Sequence, residues 1–443
     1  MSQGPGSGLT ATARAALLNR LTRRGGNAPE AGPAESPGRD LATLPGMRDL
    51  EMMRNAGAAL GIESPYFRPH DGVAGGRSVV GGRSTINFAS YNYVGLNGDP
   101  RVAAAAKAAI DRYGVSASAS RLASGERPVH GELEAALAAH YGAEACITLV
   151  SGHATNVTVI GQILGPRDLI LHDRLIHNSV AEGARLSGAR RFAFAHNDWQ
   201  AADRELAANR RRHGRALVVI EGHYSMDGDL PDLARFAEVA RRHDALLMVD
   251  EAHSIGVLGA TGRGVAEQCG ADPGLADIWM GTLSKTLSSC GGYIAGRRRL
   301  IDLLRHTAPG FVYSVGLAPP LAASALESLR ILHAEPWRTA KLQANAGLFL
   351  RLAREAGFDT GSSAGLGIVP IILGGSVRAA RLAAAAFEAG VNVQPILFPV
   401  VPEGSARLRF FLSSEHTPEE IHQTIAVLAA ARDGTAPLDL AAG

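Results

Sequence analysis

The chain has 443 residues, 46% of them hydrophobic, which is enough to bury a large core in two or three domains. A formal net charge of +2 gives no electrostatic basis for binding nucleic acid or an acidic membrane, and no apolar run reaches membrane-spanning length. Three cysteines without metal-ligand spacing, and an N-terminus without a signal-peptide apolar region, point to a reduced cytoplasmic protein rather than a disulfide framework.

Residues 1–45 differ from the rest: Gly4–Gly8 and the proline-punctuated stretch Arg24–Pro45 are not core-forming. Between them, Thr10–Arg24 carries Ala13, Leu17 and Leu21 at four-residue steps, and reads either as a frayed tail or as a short docking helix for a partner protein. Residues 46–95 form an N-terminal segment and 96–320 a large domain. From about Gly142 onward, short apolar runs (Cys146–Val150, Leu169–Leu171, Phe192–Phe194, Leu217–Ile220, Leu246–Val249, Ile278–Met280, Tyr293–Ala295) alternate with helix-length segments such as Pro231–His243. That alternation predicts an α/β fold: a mainly parallel sheet with helices on both faces and its functional residues at the carboxyl ends of the strands. The runs Arg210–Arg212 and Arg297–Arg299 read as solvated helix faces. After Pro319 a single long helical stretch to about Ala356 is expected. It leads into a smaller C-terminal domain (321–443) with strands at Val369–Leu373, Val391–Val393 and Leu408–Leu412 and a closing helix at Pro418–Arg432.

Several residues past strand ends carry chemistry. Asp250 ends an apolar strand and is followed by His253; Lys285 closes Trp279–Lys285. A lysine in that position can be desolvated enough to lose its proton and form a Schiff base with an aldehyde cofactor. An aspartate can hold a pyridinium nitrogen protonated, as pyridoxal 5'-phosphate requires to act as an electron sink. Ser151-Gly152-His153 joins a strand to a helix, an anion site suited to the phosphate, and the hydroxyls of Thr282 and Ser284 complete that cage. His177 is placed to stack on the ring and His253 to reach its phenolic oxygen.

The motifs Ser90–Leu96, Ser120–Gly125 with His130–Glu134, Phe194–Asp198, Glu221–Asp229, Val249–His253 and Gly281–Lys285 together resemble the α-oxoamine synthase family of pyridoxal-phosphate enzymes, over about residues 45–432. The resemblance implies the PLP-dependent transferase architecture of fold type I, with a large domain on a mainly parallel seven-stranded sheet and a smaller α+β domain. It also implies a homodimer with active sites at the subunit interface. Carried to matching positions, Lys285 is the Schiff-base lysine and Asp250 the pyridinium partner. Catalytic roles also fall to His177 and His253, and cofactor contacts to Ser151, Gly152, His153, Glu221, Ser225, Thr282 and Ser284. Asn92 and Arg409 handle the amino acid carboxylate, and Ser120 lines the amino acid pocket.

The implied reaction is a decarboxylative condensation of an α-amino acid with an acyl thioester, on CoA or an acyl carrier protein. An aminotransferase or another enzyme of the same fold is the alternative, because Asp, Lys and a phosphate turn are shared across it. The chain departs from the family pattern in three places. His153 stands where an aromatic Phe or Tyr is usual, Tyr313–Gly316 replaces Ser-Thr-Ser, and Ser288 and Cys290 interrupt the small-residue spacing after the lysine. The Ser314–Leu317 and Ala119–Glu126 forms look more like members associated with polyketide-type assembly lines.

Overall fold

The computed structural model describes residues 38–59, 61 and 63–434, so the Thr10–Arg24 segment lies outside the described residues. Residues up to Phe67 form one unit and Arg68 onward another. In the first, Asp40 caps a short turn by accepting from the Ala42 N–H, and a helix spans Met47–Ala59.

The second unit starts with a small sheet, β1 (His70–Asp71), β2 (Arg77–Val80) and β3 (Arg83–Asn87). The large sheet comprises β4 (Ala145–Leu149), β5 (Leu169–Asp173), β6 (Arg190–Phe194), β7 (Ala216–Glu221), β8 (Leu246–Asp250), β9 (Ile278–Thr282) and β10 (Gly292–Gly296). Its order is β4-β10-β9-β8-β7-β5-β6, and only β10 runs against its neighbours. The expected apolar runs are thus all strands of one seven-stranded, mostly parallel sheet.

Alternation along each strand explains why both faces are covered. On β7, Val218 and Ile220 join one buried cluster while Leu217 and Val219 join the other; on β9, Trp279 faces the first and Ile278 and Met280 the second. The helix Gly152–Ile163 covers the second face through Val159 and Ile160, and Pro128–Tyr141 covers the first through Leu133 and Leu137. The carboxyl ends of β5, β7, β8 and β9 place Asp173, Glu221, Asp250 and Thr282 along one edge.

Two expectations need correction. The long helix after Pro319 is two helices, Pro319–Ala334 and Trp337–Glu355, because Pro336 has no N–H to continue the first. The strand expected at Val391–Val393 does not belong to the C-terminal sheet. That sheet is β11 (Ile368–Gly374), β14 (Ala406–Phe411) and β13 (Gln394–Ile396), all antiparallel, whereas β12 (Val391–Asn392) pairs in parallel with β3. Residues 68–95 are therefore built into the C-terminal layer. Phe88 packs against Phe349 and Phe410, and its backbone bonds to Asn392 and Phe411. Among the described residues no helix is long and apolar enough to cross a membrane.

Candidate active site

A cavity of about 350 Å³ opens at the carboxyl edge of the large sheet. Ser151, Gly152, His153, His177, Glu221, Ser225, Asp250, His253, Thr282, Ser284, Lys285 and Arg409 all line it, so the structure brings together twelve of the residues singled out from sequence.

The phosphate end is shaped by glycine. A Cβ on Gly152 would lie 2.8 Å from Thr282 Oγ1, and one on Gly292 would lie 2.5 Å from Thr155 Oγ1. Only bare backbone leaves room where the helix Gly152–Ile163 presents its first, internally unpaired N–H groups. Ser151 caps that helix, and the Thr282 hydroxyl donates to Gly291 O and accepts from Ser284 N.

Asp250, 4% exposed, is fixed from two sides: Oδ1 accepts from Ala252 N and Oδ2 from Asn156 Nδ2, at 2.9 Å. The second hydrogen of Asn156 Nδ2 goes to Ser179 Oγ at 2.9 Å, and that oxygen lies 2.7 Å from His177 Nδ1. Because Ser179 accepts from Asn156, its own hydroxyl donates to Nδ1, which leaves the His177 proton on Nε2. Its enclosed position lowers the His177 pKa despite the opposing pull of Asp250, so the neutral ring offers an N–H donor. Asn156 was not anticipated. The one available signal was a polar Thr155-Asn156 pair on the first turns of an otherwise apolar helix.

Glu221, expected as a cofactor contact, lines the cavity and also organises its walls. Oε1 accepts from His177 N and Oε2 from Ser225 N, so its carboxyl organises the two loops that bring His177 and Ser225 to the cavity. Burial, with Asp250 nearby, pushes its pKa up to about 8. Lys285 reaches 2.8 Å from His253 Nε2. Burial lowers its amine to about 8, against the attraction of Asp250 and Glu221 and with the help of Arg409. Arg409 lines the cavity and donates to Ser225 O, while its Nε is buried without a hydrogen-bond partner.

Two expected substrate residues lie elsewhere. Asn92 lines an adjoining cleft of about 530 Å³, from which Lys285, Ser284 and Tyr91 separate the first cavity; its Oδ1 accepts from Asn97 N and its Nδ2 points at Glu415. Ser120 lines neither, and its carbonyl opens the Arg121–Gly125 turn by accepting from the N–H groups of Ala123, Ser124 and Gly125. Ser288 has φ of +50°, so a glycine-favouring position is held here by a side chain.

An anion cradle, a buried carboxylate held for a ring nitrogen, and an amine with a lowered pKa fit pyridoxal phosphate. The comparisons agree. Residues 83–428 match the aminotransferase class I and II family. The 8-amino-7-oxononanoate synthase of Anaeromyxobacter sp. (strain K) is 43% identical over 79% of this chain and 87% of its own. That of Fervidobacterium nodosum is 38% identical over 84% and 93%. Among solved structures, Sphingomonas wittichii serine palmitoyltransferase superposes with a TM-score of 0.84 at 33% identity, over 89% of this chain and 99% of that one. A structure of SPT with PLP gives 0.85 at 30% identity over the same shares. The chain belongs to the α-oxoamine synthases, the pyridoxal-phosphate-dependent acyltransferases within the aminotransferase class I and II family.

Proposed function

We propose that the chain condenses an α-amino acid with an acyl thioester, releasing carbon dioxide and free thiol and leaving an α-amino ketone. The observation that carries this reading is the convergence of Asp250, Lys285, His177 and Arg409 on one cavity.

The bound cofactor supplies an electron sink for the carbanion that the condensation requires. Around it, Asp250 holds the ring nitrogen's proton, kept in register by Asn156 and Ala252 N. Arg409 pairs with the amino acid carboxylate, for which a guanidinium offers a two-pronged match. Lys285, with its amine lowered to about 8, takes the α-proton at near-neutral pH. The Nε2–H of His177 donates to the thioester oxygen as negative charge builds there. Glu221 and Asn156 position these groups from behind.

The acyl group is proposed to arrive on an acyl carrier protein in natural-product biosynthesis, supported by the Ser314–Leu317 and Ala119–Glu126 forms. The names of the relatives favour instead an oxononanoate-type product on the same chemistry. Domains are proposed at 46–95, 96–320 and 321–443 beyond a 1–45 tail. A homodimer is proposed because Ser120 lies outside its own chain's cavity and its neighbourhood is apolar and exposed. Val115 (70%), Leu122 (49%), Tyr313 (86%) and Val315 (52%) flank the backbone bond from Gly316 N to Ala119 O. A cytoplasmic location accords with three free cysteines.

The test is a panel of amino acids against acyl-CoA and acyl-carrier donors, scoring carbon dioxide and thiol together. Equal release of both is expected. Transfer of the amino group to an oxo acid, with neither product released, would overturn the condensation in favour of an aminotransferase.

A further inference from the structure

We infer that Tyr93 is a positioning residue that sets the protonation state of Lys285, by fixing the tautomer of the His253 ring lying between them.

Tyr93 is fully buried, and its hydroxyl is 2.7 Å from His253 Nδ1. On the other side of the same ring, Nε2 is 2.8 Å from Lys285 Nζ. The ring itself is clamped. Phe411 lies nearly parallel to it at 6.2 Å, and Tyr91 and Tyr93 meet it edge-on. The imidazole therefore keeps its orientation, and what remains variable is which nitrogen holds the proton.

Tyr93 decides that. Its hydroxyl has no other hydrogen-bond partner among the described contacts. If it accepted from His253, its own O–H would be buried and unmet, at a cost of about 1–3 kcal/mol. Burial, reinforced by Tyr91, holds the phenol's pKa well above 10, so the proton stays on oxygen. The O–H donates to Nδ1, and the neutral ring carries its proton on Nε2. His253 is held neutral by burial, and positive charge on Lys285 or Arg409 would act in the same direction.

The consequence falls on Lys285. An Nε2–H can be accepted only by the lone pair of an unprotonated amine; an ammonium would set donor against donor. Burial already lowers this amine's pKa, and the His253 Nε2–H adds to that preference among groups that pull both ways. Asp250 and Glu221 favour the charged form and Arg409 opposes it, while the Tyr91 ring, 5.4 Å from Nζ, attracts a cation. Tyr93, two bonds removed from the chemistry, tips the balance through His253. In its absence the proton can move to Nδ1, leaving Nε2 to accept from an ammonium.

The inference shares with the proposed function only the premise that Lys285 is the reactive amine, and its test does not depend on turnover. Full-length protein stripped of cofactor is labelled with trace acetic anhydride across a pH series, and acetylation of Lys285 is quantified by peptide mass spectrometry. The wild-type midpoint should lie near 8. Tyr93→Phe keeps the ring, removes the oxygen, and should raise the midpoint by about one pH unit, roughly a tenfold fall in labelling at neutral pH. In a His253→Leu background the same substitution should produce no shift. An unchanged midpoint in a normally folded Tyr93→Phe protein would overturn the inference, as would a shift that persists without His253. Nitrogen NMR of the wild-type ring decides the matter if the variant fails to fold: Nδ1 bare and Nε2 protonated is expected, and the reverse tautomer refutes it.

Discussion

Two buried carboxylates, Glu134 and Glu221, sit at similar depth and have opposite surroundings. Glu134, 3% exposed, accepts from Arg121, Arg305 and both the N–H and hydroxyl of Thr148. Arg121 in turn reaches Glu126, so positive and negative groups balance. Glu221 is equally buried but its side chain meets only two backbone N–H groups; of its charged neighbours Asp250 has the same sign and outweighs the opposing pull of Lys285. The first arrangement is closed around the Glu134 carboxylate, whose charge is met on both oxygens; it holds the helix Pro128–Tyr141 to β4, and of its members Arg305 alone keeps a buried Nε without a partner. The second is open, with the Nε of Arg409 and the Oδ1 of Asn156 buried and unmet beside it. A network completed by its own chain reads as structural, and one left incomplete reads as waiting for a ligand.

The contrast can be broken at either end. Lys285→Ala should give the largest effect, a loss of turnover of about 10³-fold or more with an unfolding midpoint close to wild type. Steady-state kinetics beside denaturant unfolding measures both, and a variant that turns over normally removes the lysine from the mechanism.

Glu134→Gln should do the reverse. It leaves two guanidiniums without their shared anion and should cost about 3 kcal/mol of stability, read by urea unfolding, while kcat of the folded fraction is preserved. Stability within experimental error of wild type would show that the closed network is not a stabilising one.

A smaller effect sharpens the comparison, because one charged cluster lies between the two extremes. His196 bridges Asp173 at 3.0 Å and Asp229 at 2.9 Å, tying the loop after β5 to the loop after β7. Burial works against its charge, but the hydrogen bonds to Asp173 and Asp229 raise its pKa to about 10. A raised pKa means that its contribution is fully present below the unfolded value of about 6.5 and disappears as pH rises through 10. His196→Gln should thus be less stable than wild type by roughly 2 kcal/mol at neutral pH, after allowance for solvent screening. The gap should close as the pH approaches 10. A pH-independent gap would mean that the ring acts by shape rather than by charge.

Local pattern carried most of the fold. Every apolar run expected in the large sheet became a strand, because each is short and bounded by turns, and all but the edge strand β6 are buried along nearly their whole length. What local pattern could not show was choice of partner. Val391 pairs with Ile86, and nothing near either residue marks the other as its neighbour. The site divides along the same line. Asp250 and Lys285 stand out because they end apolar strands, whereas Asn156 and Tyr93 act through contacts with residues remote in sequence. Asn92 was expected to handle the amino acid carboxylate together with Arg409; it lines the adjoining cleft, with Lys285 in the wall common to both, and nothing in either residue's local sequence marks that placement.

The parallel pairing of β3 with β12 also imposes an order in time. During synthesis from the N-terminus, every residue of the phosphate turn and the lysine loop emerges before Val391, and Arg409 emerges later still. Until then β3 lacks its second neighbour, and Phe88, whose backbone bonds to Asn392 and Phe411, has no layer to enter. The cofactor half of the pocket can be assembled on the ribosome while the substrate half does not yet exist. For that interval the nascent chain carries a strand edge with no mate beside a bare Phe88, so elongation up to Val391 is the stage at which this protein most needs protection from its neighbours.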